Sequence, residues 1–343
     1  MFIEKLQAFA REYSEKNSFS GILRITQKDE ILLTQYMGYA DRENKLPFDE
    51  SSMFTFYSIS KAFCAIGLMR LYDKGLVDIN AHPSVYLPEC AALDKDLTLV
   101  HVMRHNSGIP DFFMEEKFKE LRGTEDDIKN NLSALFECPA YFKAGTDAKY
   151  ANINYNIMAL IIEKVTGLPY AEYMKNEVFL PLGASTAIVD RDGLFIQNRV
   201  QGYAKDEYGN IYRADRNPGW MKGAGDIVGR VEDVYALNLA IKNKLLLTKE
   251  SWQKVLTPSP FNSMGFGCTV KNYDGKIRIT HNGGHTGFRT YHVYMPQDDL
   301  DMILLSNCGW GLGRTDFETK LYEFFYGYDI TNGKITPMDV GYI

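Results

Sequence analysis

The stretch FYSISKAFCAIGLMRLYDKG, residues 56–75, is where the sequence changes from β-type to helical periodicity. Its apolar positions, Ile66 and Met69 among them, recur with helical spacing, and the β-type run MFTFY leads directly into it. Ser58 and Lys61 stand three residues apart at the start of this helix, a spacing that brings both side chains to one helical face. The stretch therefore predicts a buried helix with a hydroxyl and an amine at its head.

The sequence on either side of this helix predicts an α+β fold. Residues 19–40 form two Ile-, Leu- and Thr-rich runs around the polar turn QKDE, which indicates a β-hairpin. Near the other end, four short β-type runs precede the helix-like TDFETKLYEFFYG. We expect one antiparallel sheet with terminal helices from residues 1–57 and 255–343, a mostly helical inserted subdomain from residues 58–254, and an active site at their interface.

Two segments of the middle region lack clear periodicity. Residues 113–131 are rich in charge, which indicates a solvated excursion, and residues 201–222 have the composition of a loop.

Composition limits the classes of function. The net charge is −6 and the basic residues are scattered, which argues against a nucleic-acid partner. The five cysteines are odd in number and form no CxxC pair, so we expect neither a disulfide framework nor a zinc site. The amphipathic start MFIEKLQAFAREYSEKN lacks the apolar core of a signal peptide, and no run of 18 apolar residues follows. We expect a cytoplasmic protein without membrane insertion.

Ser58 and Lys61 have the residue types of a nucleophile and its base. A serine hydroxyl needs a base to take its proton, and a lysine serves only where burial or nearby positive groups favour the neutral amine. The alternative is an N-cap serine beside a surface lysine. A second copy of the spacing, Ser251 and Lys254, lies in a polar amphipathic stretch and is interpreted as a surface helix.

A phenol and a carboxamide occur together before another strongly apolar helix. Tyr150 and Asn152 precede NYNIMALIIEKVTG, so both are expected at a loop-to-helix junction. A tyrosine near a lysine can relay a proton, and an asparagine can hold an amide or ester carbonyl. A structural tyrosine is the alternative. The similar pair Tyr208 and Asn210 lies in DEYGN, which has turn composition.

A third candidate element is ITHNGGHTGFRTYHVYM. Gly283 and Gly284 would allow a substrate backbone to approach closely, and the N–H of Gly284 could pair with that of Ser58 as an oxyanion hole. His281 would supply a hydrogen bond or positive charge to the substrate.

Two alternatives compete for this element. Asn282-Gly283 is a common hairpin dipeptide that could join the two flanking β-type runs. A second His-x-Gly pattern begins at His285, and His281 is preferred because it directly ends a strand-like run.

The histidines His101 and His105 have the i, i+4 spacing of a metal pair, but the glutamate of HExxH is missing and Asn-Ser-Gly follows as a helix-ending signal. A structural role is favoured. Neither a Walker A loop nor a dinucleotide fingerprint is present, so we expect no cofactor and no metal.

The three elements, taken in order, resemble the active-site motifs of the serine β-lactamase and penicillin-binding-protein superfamily. The similarity is to its class C β-lactamase, DD-peptidase and family VIII esterase branch, and it covers about residues 18–310. It also includes FSGILRITQKDEILLTQYMGYADRENKLPF, LTLVHVMRHNSGIPDF, FLPLGAST and GAGDIVGRVEDVYAL.

The resemblance implies a β-lactamase/transpeptidase-like fold and a role for each motif residue. These roles are the acylated nucleophile for Ser58, its base for Lys61, a second proton-transfer residue for Tyr150, substrate amide binding for Asn152, the third motif for His281 and Gly283, and an oxyanion-hole N–H for Gly284.

Two positions depart from the family pattern. His281 stands where β-lactamases of this branch usually carry lysine, and Ala144 stands where proline is usual. The resemblance therefore implies a serine hydrolase acting through an acyl-enzyme on an ester or a small amide or peptide, with an esterase favoured. The alternatives are a β-lactamase, a D-alanyl-D-alanine carboxypeptidase or D-aminopeptidase and, in another class, a non-catalytic penicillin-binding-like sensor. The expected partner is a small-molecule ester, amide or β-lactam-like substrate.

Overall fold

The computed structural model describes residues 2–112, 115–118, 125–214, 219–273, 275–285, 287–310, 314–329 and 336–337. The helices are α1 (Phe2–Asn17), α2 (Ser60–Asp73), α3 (Leu99–Met103), α4 (Glu125–Phe136), α5 (Ile153–Thr166), α6 (Tyr170–Tyr173), α7 (Leu180–Leu182), α8 (Val231–Asn243), α9 (Lys249–Leu256) and α10 (Arg314–Tyr326).

The strands are β1 (Gly21–Gln27), β2 (Glu30–Met37), β3 (Tyr39–Asp41), β4 (Leu46–Pro47), β5 (Phe54–Thr55), β6 (Ile188–Val189), β7 (Tyr203–Lys205), β8 (Ile211–Arg213), β9 (Ile227–Gly229), β10 (Thr269–Tyr273), β11 (Lys276–His285), β12 (Phe288–Met295), β13 (Leu300–Ser306), β14 (Tyr328–Asp329) and β15 (Thr336–Pro337).

The chain divides into two compact units. The sheet unit comprises Met1–Phe54, Gln197–Asp215 and Lys271–Ile343, and the helical unit comprises Thr55–Ile196 and Arg216–Val270. That the active site lies at the interface of two subdomains stays a prediction.

The sheet unit contains a six-stranded antiparallel sheet made from both ends of the chain. Its strand order is β10-β11-β12-β13-β1-β2. The strands β1 and β2 form the predicted hairpin, and β1 pairs on its other side with β13, from Gly21 opposite Ser306 to Gln27 opposite Leu300. The predicted α+β fold with an antiparallel sheet is confirmed.

The terminal helices α1 and α10 cover this sheet. Leu6 of α1 and Phe317 and Leu321 of α10 are fully buried in one cluster with sheet residues such as Leu23 and Met302. The ring centroids of Phe9 and Phe317 lie 5.2 Å apart in an edge-to-face contact. Because aromatic and aliphatic burial of this kind is the main favourable term in folding, both ends of the chain stabilise the same core.

The helical unit is built around α2, which is buried on almost every side. Its apolar residues occupy the whole circumference, as expected for a central helix. At Gly67 a Cβ atom would lie 2.9 Å from Sδ of Met174, so the glycine lets the neighbouring turn approach closely. The helices α2 and α5 pack against each other, and the candidate site lies at the start of α2 and directly before α5.

The structure differs from the expectation in two segments. The helix α4 begins inside the predicted solvated excursion, and its Ile128 and Leu132 are buried. Residues 113–114 and 119–124 of that excursion lie outside the described residues. The segment expected to be a loop contains the hairpin β7–β8, since DEYGN serves as the turn between two short paired strands.

None of the helices in the part of the chain that the structure describes has the length and apolarity to cross a membrane.

Candidate active site

Ser58 lies in a 3₁₀ turn, Tyr57–Ile59, directly before α2. Tyr57 has φ +47°, a conformation that is unfavourable for an aromatic residue and costs on the order of 1–3 kcal/mol. The turn is held on one side by a hydrogen bond from the Phe56 N–H to the Ile227 carbonyl, 2.8 Å. Ser58 is half-buried and makes no N-cap hydrogen bond to α2, so the N-cap interpretation is wrong.

Lys61 is completely buried, and its amine has three hydrogen-bond partners. The Nζ atom lies 3.0 Å from Ser58 Oγ, 2.9 Å from Asn152 Oδ1 and 2.6 Å from the Ala224 carbonyl. The alternative of a surface lysine with its ammonium in water is therefore wrong.

Burial sets the charge of this amine. Desolvation lowers the pKa of Lys61 to about 7, against the opposing effect of Asp111, Cys64 and Asp226. A neutral amine can donate its two hydrogens to Asn152 and Ala224 and turn its lone pair towards the Ser58 hydroxyl. The site therefore has the geometry and the proton affinity for a base acting on Ser58.

Tyr150 contacts the same hydroxyl. Its OH donates to Ser58 Oγ at 2.8 Å, and its ring centroid lies 4.9 Å from Lys61 Nζ. The residue is 44% exposed, yet desolvation of the phenol raises its pKa above the usual range. Tyr150 is therefore a neutral donor near neutral pH and not a tyrosinate.

Asn152 is fixed from two directions. Its side-chain oxygen accepts from Lys61, and its backbone N–H donates to the carboxylate of Asp111. The residue directly precedes α5, the position that the sequence predicted. The structure thus brings Ser58, Lys61, Tyr150 and Asn152 together within one unit.

Three contributors to the site were not singled out from the sequence. The Ala224 carbonyl binds Lys61, Asp111 binds Asn152, and the buried Asp226 lies near both Lys61 and Cys64. Burial raises the pKa of Asp226 to about 7, although one of its oxygens accepts from the Gly223 N–H at 3.0 Å. The signal was the glycine-rich GAGD, whose composition indicates a tight turn that can expose a carbonyl.

His105 also belongs to this neighbourhood. Its ring stacks on that of Tyr150, with centroids 4.3 Å apart and planes 28° apart. The i, i+4 partner His101 instead accepts from Thr98 N–H in the cap of α3. Within the described ranges, no group of three or more His, Cys, Asp or Glu side chains is arranged to hold a metal ion.

The third motif lies in the sheet unit, on β11. His281 is buried with Nδ1 2.8 Å from the Asn282 carbonyl, and Gly283 is buried beside the exposed Gly284. Gly283 pairs with Thr290 of β12.

The local structure of this motif corrects two expectations. The strand does not end at His281 but continues through His285, and the turn that follows contains Gly287 with φ +82°. Asn282-Gly283 is consequently not a hairpin turn. Both residues are extended because they form regular pairs with β12.

Two other residue pairs repeat the spacing of the site residues, and the structure gives them other roles. Ser251 is buried in α9 and donates to Asp73, while Lys254 forms an ion pair with Glu250 at 3.1 Å. Tyr208 is 82% exposed at the turn between β7 and β8. Burial thus distinguishes Lys61 from Lys254, since desolvation lowers the pKa of Lys61 whereas the hydrogen bond to Glu250 raises that of Lys254.

The sequence of this chain is similar to one protein-family profile and to several known proteins. A family profile described as Beta-lactamase matches residues 6–319. Penicillin-binding protein 4* of Bacillus subtilis (strain 168) is 26% identical over 324 residues, which span 88% of this chain and 71% of that protein. A D-aminopeptidase of Gluconobacter oxydans (strain 621H) is 23% identical, over 84% of this chain and 55% of the relative.

Solved structures share the fold. The octameric penicillin-binding protein homologue from Pyrococcus abyssi superposes with a TM-score of 0.84 at 21% identity, covering 94% of this chain and 77% of its own. EstCE1, described as a hydrolase with promiscuous acyltransferase activity, gives a TM-score of 0.78 at 16% identity, covering 95% and 98%.

Proposed function

Because the chain belongs to the Beta-lactamase family, whose members are serine hydrolases, we propose that it hydrolyses esters or small amides through an acyl-enzyme on Ser58. The observation that carries this proposal is the 3.0 Å contact between Ser58 Oγ and the fully buried amine of Lys61. A desolvated lysine that touches a half-buried serine supplies the base that such a nucleophile needs.

The proposed acylation begins with neutral Lys61. The amine takes the Ser58 proton while Oγ forms a bond to the substrate carbonyl carbon, and the carbonyl electron pair moves to its oxygen. When the tetrahedral intermediate collapses, Tyr150 gives its proton to the leaving group and regains one from the Lys61 ammonium. Water then repeats the sequence on the acyl-enzyme, releasing the acid and restoring the Ser58 hydroxyl.

Three roles in this proposal rest on the family resemblance. The N–H groups of Ser58 and Gly284 stabilise the oxyanion, Asn152 binds the substrate carbonyl, and the third-motif residues His281 and Gly283 contact the substrate. They stay predictions for this chain.

Esters are the favoured substrate class. An amine must be protonated before it can leave a tetrahedral intermediate, whereas an alcohol depends less on a proton donor. Hydrolysis of an ester therefore depends less on proton transfer from Tyr150 than hydrolysis of an amide does. The histidine at position 281, in place of the lysine usual in β-lactamases of this branch, also favours an esterase or peptidase.

The experiment is intact-mass measurement after treatment with a fluorophosphonate and, separately, with a penicillin. The proposal requires one fluorophosphonate adduct on the wild type and on Ser251→Ala, and none on Ser58→Ala. The Ser251 variant is the matched control because it removes the serine of the other Ser-x-x-Lys sequence. If the wild type gains no mass from either reagent, the non-catalytic sensor takes the place of the hydrolase.

A second candidate is amide hydrolysis, as a D-aminopeptidase, a D-alanyl-D-alanine carboxypeptidase or a β-lactamase. It is supported by the names of the relatives, which include a penicillin-binding protein and a D-aminopeptidase. Rates with p-nitrophenyl butyrate, D-alanine p-nitroanilide and a chromogenic cephalosporin separate the classes. Faster turnover of the anilide or the cephalosporin than of the ester would replace the esterase by the amidase or the β-lactamase.

A further inference from the structure

The segment HNSGIPD, residues 105–111, holds the loop that carries Tyr150 and Asn152, here called the Tyr150 loop (residues 147–152). The backbone carbonyl of His105 accepts from the Lys149 N–H at 3.0 Å, and the Asn106 side chain donates to the Asp147 carbonyl at 2.8 Å. With the bond from Asn152 to Asp111, these contacts reach both ends of the Tyr150 loop.

The His105 side chain contacts both Tyr150 and the residue after it. The imidazole ring stacks on the phenol ring, with centroids 4.3 Å apart. The Nδ1 atom accepts from the N–H of Ala151, the residue after Tyr150, at 3.2 Å. The histidine therefore fixes both the plane of the phenol and the backbone that follows it.

A buried polar chain sets the tautomer of this histidine. The Ser107 hydroxyl lies 2.8 Å from Oδ1 of Asn154, to which it donates, and the Asn154 amide nitrogen lies 3.2 Å from His105 Nδ1. Two N–H groups thus point at Nδ1, which must be unprotonated, and the ring proton lies on Nε2. His105 and Asn154 are fully buried, so this arrangement is protected from water.

We propose that His105 is a positioning residue of the acyl-transfer site, which holds the Tyr150 hydroxyl against Ser58 by stacking on the phenol and accepting from the Ala151 N–H. The inference rests on the proposed hydrolase function and extends it to a residue that touches neither the nucleophile nor the reacting carbonyl.

Two substitutions separate the two contacts. His105→Asn keeps an acceptor for the Ala151 N–H and suits the left-handed backbone of φ +59°, but it removes the ring. His105→Phe keeps a ring and removes the acceptor. His101→Asn is the matched control, because it changes a histidine of α3 that bonds Thr98 instead.

The kinetic test compares kcat/KM for p-nitrophenyl butyrate with kcat/KM for ethyl butyrate, expressed per fluorophosphonate-titrated site. This parameter reports acylation alone, whereas both esters share the deacylation of one butyryl-enzyme. Ethanol needs a proton from Tyr150 to leave, whereas p-nitrophenolate leaves without one. Tyr150→Phe should therefore slow the ethyl ester more, by about 100-fold or greater, the usual size of acid catalysis. His105→Asn should show the same selective loss in kcat/KM for the ethyl ester, about 10-fold or more.

The Tyr150→Phe background separates positioning from general stabilisation. If His105 acts through the phenol, adding His105→Asn to Tyr150→Phe should change kcat/KM for ethyl butyrate by less than about 3-fold, because the hydroxyl that it positions is gone. An equal loss for both esters, or a full loss in the Tyr150→Phe background, overturns the proposal.

A measurement without substrate distinguishes this proposal from the proposed function. In protein labelled with 3-fluorotyrosine, the ¹⁹F signal absent from Tyr150→Phe belongs to Tyr150. It should shift in His105→Asn and stay in place in His101→Asn. A wild type that gains no mass from either the fluorophosphonate or the penicillin refutes the proposed function, whereas an unshifted signal in His105→Asn refutes the positioning role.

Discussion

Lys61 holds its amine among Ser58, Asn152 and Ala224 in a fully buried position, and its pKa of about 7 determines when the site can act. Only the neutral amine can accept the Ser58 proton. We expect kcat/KM for an ester to rise with pH along a single acid limb near pH 7 and to level off above it. A pH-rate profile checks this, and a limb centred near the ordinary lysine value of about 10.4 would contradict it.

The buried amine of Lys61 should also make the stability of the protein depend on pH. Between pH 7 and about 10.4 the unfolded chain binds a proton at Lys61 that the folded chain lacks, so wild-type stability rises with pH across this window. Below pH 7 Lys61 is protonated in both the folded and the unfolded state, and the free-energy cost of burying its charge is then at its full value. Lys61→Met has no such group.

Relative to the wild type, Lys61→Met should therefore have its greatest advantage in unfolding free energy below pH 7. The advantage should shrink by up to about 1.4 kcal/mol for each pH unit above it. Urea unfolding of both proteins at several pH values measures this, and a pH-independent difference would refute the assignment.

Asp226 gives a third prediction at the residue scale. It is one of the negative groups that raise the pKa of Lys61, and Asn at this position still accepts from the Gly223 N–H. Asp226→Asn should move the acid limb of the pH-rate profile to lower pH. Asp233→Asn, which changes another buried carboxyl that caps α8, is the control and should leave the limb in place.

The sequence predicted the side chains of this site better than their partners. Ser58 and Lys61 are three residues apart, and local helical geometry alone brings them together. The Ala224 carbonyl lies 163 residues from Lys61, and a backbone carbonyl has no side chain to mark it. Asp226 and Asp111 were missed because long-range packing, and not local spacing, determines where their carboxylates lie.

At the scale of elements, Gly108 determines how closely the 105–111 segment approaches Phe142, which precedes the Tyr150 loop. Its φ is +72°, and a Cβ atom would lie 2.0 Å from the Phe142 carbonyl oxygen. Gly108→Ala should therefore lower the unfolding free energy by more than the roughly 1 kcal/mol of left-handed strain alone.

Gly167→Ala is the control for Gly108→Ala. Gly167 has φ +70° at the end of α5, with nothing within 4 Å of the added carbon. Urea unfolding of the two variants isolates the clash. Equal losses of unfolding free energy in the two variants would show that the 105–111 segment shifts to accommodate the added methyl group.

The strand β11 shows where local signals mislead. Asn282-Gly283 has the composition of a hairpin turn, yet both residues lie in the middle of a ten-residue strand. Pairing with β12 continues to His285 opposite Phe288, so the ladder of backbone hydrogen bonds outweighs the turn preference of the dipeptide. Turn composition was decisive in β7–β8, where no longer ladder competed with it.

At the scale of the whole molecule, all five cysteines are buried and none forms a disulfide. Burial raises the pKa of Cys64, Cys90 and Cys268 to about 12, so their thiolates are scarce at ordinary pH. We expect Ellman's reagent to react very slowly with the native protein at pH 8 and to titrate five thiols in urea. Rapid reaction of the native protein would contradict the buried placement.

The fold class followed from the distribution of periodicities along the chain. Helical patterns in the middle and β-type runs at both ends indicated a shared sheet, and the pairing of β1 with β13 bears this out. The strand order within the sheet was not predictable, because each run pairs through backbone groups that are the same for every sequence. The α4 helix was missed because its apolar residues begin only at Ile128, after the charged sequence of its first turn.

The placement of β1 between β2 and β13 has a consequence for synthesis on the ribosome. Residues 21–27 are made well before their partners at 300–306. At the usual rate of 5–20 residues per second, the nascent hairpin waits roughly 15–60 s with one strand edge unsatisfied. During translation this edge stays open to wrong pairing until residues 300–306 are made.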